Sequence, residues 1–304
     1  MAMPTLLDIA KANGSDALVG LIDETTQAAP EVRSGAARTV RGLSYKTLVR
    51  TGLPTVGFRS ANAGYASSKG VYENRTYECY LFNPRWECDK AVAMAHEDGM
   101  EAFVALEASG IMEAAFQELG SQFYYGTSND SLGFPGLLAA YDSTNMVVDA
   151  GGTTDNVSTS VWAVKFGPRD VQWIYGQDGN LSLSDLIEAR LTDGSSNPYT
   201  GLVQEILMHV GLQVGSTRSI ARIKKLTTDS GKGVTDARIA SCLALFQTGV
   251  KPDVLFMNRR SLEQLRASRT ATNATGAPAP MPAEAFGVPI LVTDSIVSTE
   301  TLAS

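Results

Sequence analysis

Residues 98–120, DGMEAFVALEASGIMEAAFQELG, decide how the rest of the chain is read. Apolar side chains recur at Met100, Phe103, Val104, Ala108, Ile111, Met112, Ala115, Phe116 and Leu119. That is the i, i+3, i+4, i+7 spacing of one buried helical stripe, sustained for about six turns. Glu101, Glu113, Gln117 and Glu118 avoid the stripe, and Glu107 lies near it. Asp98 is placed to cap the first turn, and Gly120 to stop the last one in a left-handed conformation. The spacing therefore predicts a helix over 98–120, about 30 Å long. It contains no His or Cys, so it is a beam for sheets to pack on before it is a site.

The 304 residues are 44% hydrophobic, enough to bury a sizeable core in one or two domains. Cys79, Cys88 and Cys242 make no even framework and no C-x-x-C pair, and read as reduced, buried thiols of a reducing cytoplasm. The opening MAMPTLLDIAKANGSD lacks the basic region and long apolar run of a signal peptide. No run of about 18 apolar residues is present to span a membrane. A net charge of −7, from 25 Lys and Arg against 32 Asp and Glu, argues against a dedicated nucleic-acid binder.

Before the predicted helix, residues 1–29 read as short helical pieces, and 1–50 as an extended arm with little core of its own. Its basic residues Arg33, Arg38, Arg41, Lys46 and Arg50 are either solvated and locally paired or aimed at acids on a neighbouring chain. Val56–Arg59 and Val71–Phe82 have strand composition and flank SANAGYASSKG at 60–70, which predicts a projecting hairpin with a tip that buries little. Such a ribbon is marginal alone in water and needs something to lie against. Phe58, Tyr65, Lys69, Glu73 and Arg75 on this ribbon join Arg33, Arg38 and Arg41 as candidate contacts to other subunits.

After the helix, an aromatic run at 123–125 leads to alternating strands at 160–165 and 171–175, turned by Gly167-Pro168. Residues 183–192 favour a strand, with SSNP at 195–198 turning into a long one-faced strand over 202–214. The last third alternates helix and strand: a helix over 236–247, a strand at 254–257, a helix over 261–268 capped by Ser261, and a strand at 288–292. A boundary falls near 225–235.

Catalytic groups are not arranged by the sequence. His96 and His209 form no ligand pair, and the thiols are too scattered to complete a zinc site. No G-x-S-x-G elbow is present. Asp229-Ser-Gly-Lys-Gly233 lacks the opening glycine and the hydroxyl of a phosphate loop, and reads as a surface turn. Tyr65, Tyr72, Tyr77, Tyr80, Phe82 and Trp86 suggest base stacking, but near-neutral local charge favours packing of a ribbon. Paired carboxylates remain the one open enzymatic alternative, an acid-dependent hydrolase.

The order of arm, hairpin, long helix, long antiparallel strands and α/β end resembles the major capsid proteins of tailed bacteriophages, the Hong Kong 97-type fold. The likeness rests on EAFVALEASGIMEAAFQELGSQFYYG, on SVWAVKFGPRDVQWIYG at 160–176, on HVGLQVGSTRSIARIKKL at 209–226, and on PDVLFMNR at 252–259 with FGVPI at 286–290. The resemblance implies an α+β chain with an N-arm at 1–50, an E-loop at 51–88, a P-domain at 89–226 with spine helix 98–120, and an A-domain with the C-terminal end at 227–304. It implies a non-catalytic wall subunit of an icosahedral shell, with no cofactor, assembled in the host bacterial cytoplasm into hexamers and pentamers. Implied partners are a separate scaffolding protein, a portal, possible decoration proteins and enclosed DNA held without specific binding. Some relatives crosslink from an E-loop lysine; Lys69 is the lysine near this tip, and the sequence identifies no partner for it. A cellular nanocompartment shell of the same fold is the alternative.

Overall fold

The computed structural model describes residues 27–179, 182–271 and 277–302. The first 26 residues of the expected short helical pieces lie outside them. A short helix, Glu31–Ser34, precedes strands β1 (Ala37–Thr39), β2 (Ser44–Gly52), β3 (Val71–Glu78), β4 (Tyr80–Phe82) and β5 (Arg85–Asp89). One turn at Lys90–Ala93 leads to the long helix Met100–Tyr125. Then follow a helical turn Leu137–Ala140, β6 (Val147–Asp149), β7 (Thr159–Val164), β8 (Val171–Tyr175), β9 (Ser182–Leu183), β10 (Ile187–Thr192) and β11 (Pro198–Val214). The last third holds β12 (Ile220–Leu226), helix Asp236–Leu243, β13 (Val254–Met257), helix Arg259–Ala271, β14 (Glu284–Ala285) and β15 (Val288–Val292).

The long helix starts and stops elsewhere than its sequence signals suggest. Gly99, at φ 89°, precedes it with no side-chain cap, while the Asp98 N–H donates to His96 Nδ1 at 3.2 Å. Gly120 does not end it; the helix runs on to Tyr125 and stops at Gly126, φ 55°. Gly120 is needed for proximity, because a Cβ there would overlap the Glu31 carboxyl and the Ser295 hydroxyl. The aromatic run after 120 is thus the last helical turn, and Phe123 and Tyr124 are fully buried. Over the first half, Phe103 is the buried side chain; from Ala115 onward burial is nearly continuous on one side.

Strand β11 is the axis of a seven-stranded sheet. Its 17 residues span about 55 Å. It pairs antiparallel with β10, β5 and β9 over its first part and with β4 and β8 over its last, and β1 adds in parallel to the far edge of β8. The strand expected within 183–192 is present as β9 and β10. The turn into β11 is tied by the Asp193 carboxylate, which accepts from the N–H groups of Ser195 at 2.8 Å and Asn197 at 2.7 Å.

A six-stranded sheet has the order β14-β15-β13-β7-β12-β6. It joins residues 147–164 and 220–226 to the last third, so a border near 226 cuts through a sheet rather than between two. Long-range pairing of β7 with both β12 and β13 produces this. Helices 236–243 and 259–271 contribute Ile239, Leu262 and Leu265 to its core. The second of these begins two residues before the expected cap: Asn258 Oδ1 accepts from Ser261 N–H at 2.9 Å, which places Ser261 inside the helix. A second core joins both sheets under the end of the long helix. There Phe123 stacks on Trp173 at 5.2 Å, and Tyr124 meets Phe256 edge-on at 5.9 Å.

The hairpin exists, but its first strand is Ser44–Gly52 and not Val56–Arg59. It pairs with Val71–Glu78 from Ser44 opposite Glu78 to Gly52 opposite Val71, with a register shift after Arg50. Residues 53–70 form no strand, and Val71–Phe82 breaks at Cys79 into β3 and β4.

Candidate assembly surface

Alternation along β2 and β3 gives the ribbon two unlike faces. Tyr45, Thr47, Val49, Arg75 and Tyr77 are half-buried, and the Tyr77 hydroxyl donates to the Val214 carbonyl at 2.6 Å, which pins the root to β11. The opposite face, with Lys46, Leu48, Arg50, Tyr72, Asn74 and Thr76, is open to solvent. Along the same ribbon and its loop, Leu53, Val56, Phe58 and Val71 are exposed as well, Phe58 as fully as in an extended chain (106%). Apolar groups gathered this way on a projecting element mark a surface made to be covered.

The sequence-predicted contact residues fall into three places. Arg38 and the Glu73–Arg75 pair lie about the root and strands of the hairpin. Arg38 Nη1 donates to the Tyr45 hydroxyl at 2.9 Å and its guanidinium stands 4.3 Å from that ring; Arg75 is 3.6 Å from Glu73. Phe58, Tyr65 and Lys69 sit on the loop, where Tyr65 leans on Gly57. Arg33 is exposed on the body at the end of helix 31–34, beside Glu113 and Phe116, and Arg41 is exposed in the link between β1 and β2. Leu48, Leu53, Val71 and Tyr72 were missed as contact candidates; the available signal was apolar residues inside a charged, uncored stretch.

Two contacts hold the ends of the described chain to the body. Residues 28–40 are stitched along the edge of β8: Trp173 Nε1 donates to the Glu31 carbonyl at 3.2 Å, Trp173 N–H to Ala36 at 2.7 Å, and Val40 N–H to Tyr175 at 2.8 Å. The Glu31 side chain is fully buried, with both carboxyl oxygens lacking a hydrogen-bond partner. Burial pushes its pKa up, and the nearby Ser295, Thr293 and Tyr124 hydroxyls offset this only in part. At the other end, Glu300 is buried against Arg222 at 3.1 Å, accepts from Ser160 Oγ at 2.5 Å and from the Tyr125 hydroxyl at 2.8 Å. Arg222 also donates to Ser160 Oγ at 2.9 Å and lies 5.0 Å from the Trp162 ring.

Among the described residues no three His, Cys, Asp or Glu gather as a metal site, and no helix is long and apolar enough to cross a membrane. His96 lies 5.8 Å from the Phe103 ring, and His209 sits on β11 at an apolar cleft of about 250 Å³ beside the long helix. The three thiols are free and buried, and burial pushes Cys88 up to about 11 and Cys242 up to about 12.

A long helix over two sheets, with a ribbon that projects its apolar side chains, is the architecture of a shell subunit: the Hong Kong 97-type capsid fold. The bacteriophage epsilon15 structure superposes with a TM-score of 0.72 at 21% identity, covering 99% of this chain and 98% of that one. The bacteriophage JBD30 capsid aligns with a TM-score of 0.51 at 11% identity over 94% of this chain and 97% of its own. A holo-SrpI encapsulin complex from Synechococcus elongatus aligns at 0.48 and 10% identity over 76% and 98%. No curated protein sequence matches the chain. Residues 36–304 match the model described as major capsid protein GP7, and the chain belongs to that family of phage major capsid proteins.

Proposed function

We propose that this major capsid protein builds its shell by laying hairpin 44–78 over adjacent copies, as hexamers and pentamers around double-stranded DNA, while residues 28–40 stay seated on their own body. The observation that carries this is the row of uncovered apolar side chains at Leu48, Leu53, Val56, Phe58, Val71 and Tyr72. Arg38, Arg41, Tyr65, Lys69, Glu73 and Arg75 are its polar and aromatic rim, and Arg33 is a separate candidate contact on the body. A repeated, heterologous contact of this kind closes a shell when the symmetry closes. In this reading the arm, E-loop, P-domain and A-domain keep their order, with their borders moved to where the sheets lie. The role is non-catalytic. A separate scaffolding protein, a portal and possible decoration proteins are the expected partners. The net charge of −7 suits a wall that does not grip the packaged genome. Assembly takes place in the host cytoplasm, where the three thiols stay reduced.

Deleting residues 61–69, which form no strand, tests the reading. The subunit is expected to stay folded by circular dichroism while particles, seen by sedimentation and negative-stain microscopy with its scaffold, are lost or weakened. Normal particle yield from the deletion would overturn the proposal. A nanocompartment is distinguished by small, cargo-filled shells without DNA.

A further inference from the structure

Glu31 has no role in the surface just described, and its burial is unusual chemistry for a carboxyl. Its oxygens lie among Gly120 and Tyr124 of the long helix and Thr293 and Ser295 of the strap that follows β15. The Tyr124 hydroxyl is itself buried without a hydrogen-bond partner. An ionised carboxylate in such a place costs several kcal/mol unless paired, and no cation among the described residues pairs with it. Arg33, on the same short helix, is exposed. Arg259 pairs with Asp294 at 2.9 Å. Asp294 receives the Ala28 N–H at 3.0 Å, and Glu113 receives that of Gln27 at 3.4 Å. Among the described residues, Glu113 and Asp294 are turned to other partners, Arg33 faces solvent, and β8 contributes the uncharged Trp173.

We infer that Glu31 is a proton-operated latch that keeps residues 28–40 seated on the body as long as its carboxyl is neutral, and frees them when it ionises. The seat and the acid are one structure: the Glu31 carbonyl accepts from Trp173 Nε1, and Gly35, four residues further on, lies against the Trp173 ring. The segment runs through β1 directly into the hairpin root, so releasing it changes the tether of the ribbon as well. The inference stands on the contacts of a single chain and does not depend on how copies assemble.

The sign follows from linkage. The seated state has the raised pKa and the released state the ordinary one. Seating is therefore unopposed at pH below the ordinary glutamate value. Between the two pKa values it weakens about tenfold per pH unit, and above the raised value it stays constant.

Hydrogen exchange of the full-length protein, followed at the Val40 and Trp173 amides from about pH 5 to about pH 9, tests the latch. Wild type should lose protection at least tenfold over that range beyond the intrinsic rate change, whereas Glu31→Gln should hold a constant protection. Equal loss in both proteins, or none in wild type, would overturn the inference. Infrared spectroscopy of wild type gives a second reading that needs no variant: a neutral carboxylic-acid band that persists at pH values where exposed carboxyls are ionised and fades together with the protection. Absence of that band would overturn it too, even if Glu31→Gln failed to fold.

Discussion

Replacing Glu300 by alanine should be the most damaging single change near the end of the chain. Arg222 has a side chain with no exposure and Glu300 has 2%, so water cannot take the place of the lost partner. Without the carboxylate, the guanidinium keeps Ser160 Oγ at 2.9 Å and the Tyr141 hydroxyl at 3.4 Å, but no counter-charge, while the Ser160 and Tyr125 hydroxyls lose their acceptor. Stranding one member of a buried ion pair costs about 3–5 kcal/mol. At roughly 2.1 cal/mol/K of unfolding entropy per residue, that lowers the Tm of a chain this long by about 5–8 °C. Urea and thermal unfolding of the unassembled subunit measure it, with Glu300→Gln expected between wild type and Glu300→Ala. Pairing Arg222→Met with Glu300→Leu removes both charges and should recover at least half of the loss, because apolar replacement of a whole buried pair is often close to neutral. A loss below about 1 kcal/mol for Glu300→Ala would refute the view that this pair clamps the strap.

Gly120→Ala should destabilise the subunit by about 1–3 kcal/mol despite the better helix propensity of alanine, because the methyl overlaps Glu31 and Ser295; chemical denaturation reads the sign. Phe58→Ser, at a fully exposed site, should change unfolding free energy by less than about 0.5 kcal/mol and yet lower particle yield in a sedimentation assay. Alkylating reagents at neutral pH should label Cys79, Cys88 and Cys242 only as the protein unfolds, since all three are buried and burial raises their pKa values; mass spectrometry against urea concentration follows this.

Strongly apolar elements are legible from sequence: the helix over 100–120, the run that forms β11, and the buried strand at 254–257. Their apolar composition marks the elements, but burial is continuous at 254–257 and over the last five residues of β11, where both faces are covered, and it is sparse over the first half of the helix. The hairpin's first strand was not legible, because β2 carries Lys46 and Arg50 on its open face and packs only partly on the other. The alternation of Tyr45, Thr47 and Val49 with Lys46, Leu48 and Arg50 is present, but its inner face is only half-buried and the charges mask it. Gly120 was misread for a related reason: glycine signals a helix end in isolation, whereas here it makes room for a residue 89 positions earlier. The pairing of β7 with β12 and β13, and of Glu300 with Arg222 across 78 residues, has no local signature at all. Among the candidate contact residues, composition locates the ribbon, but only the fold shows that Arg33 belongs to the body and that Arg38 is engaged with Tyr45.

Strand β11 also has a mechanical consequence. Its partners lie antiparallel along its length, so a pull along the strand loads many hydrogen bonds at once in shear instead of peeling them one by one. The plate built on it therefore resists stretching, and the long helix above stiffens it against bending. The ribbon joins the plate through Val40–Leu43 and Cys79, which run side by side, the Cys79 N–H donating to the Leu43 carbonyl at 2.8 Å and the Val40 N–H to Tyr175 at 2.8 Å. A force on the ribbon is therefore delivered to the plate through two hydrogen-bonded crossings at one edge, not through a loose tether.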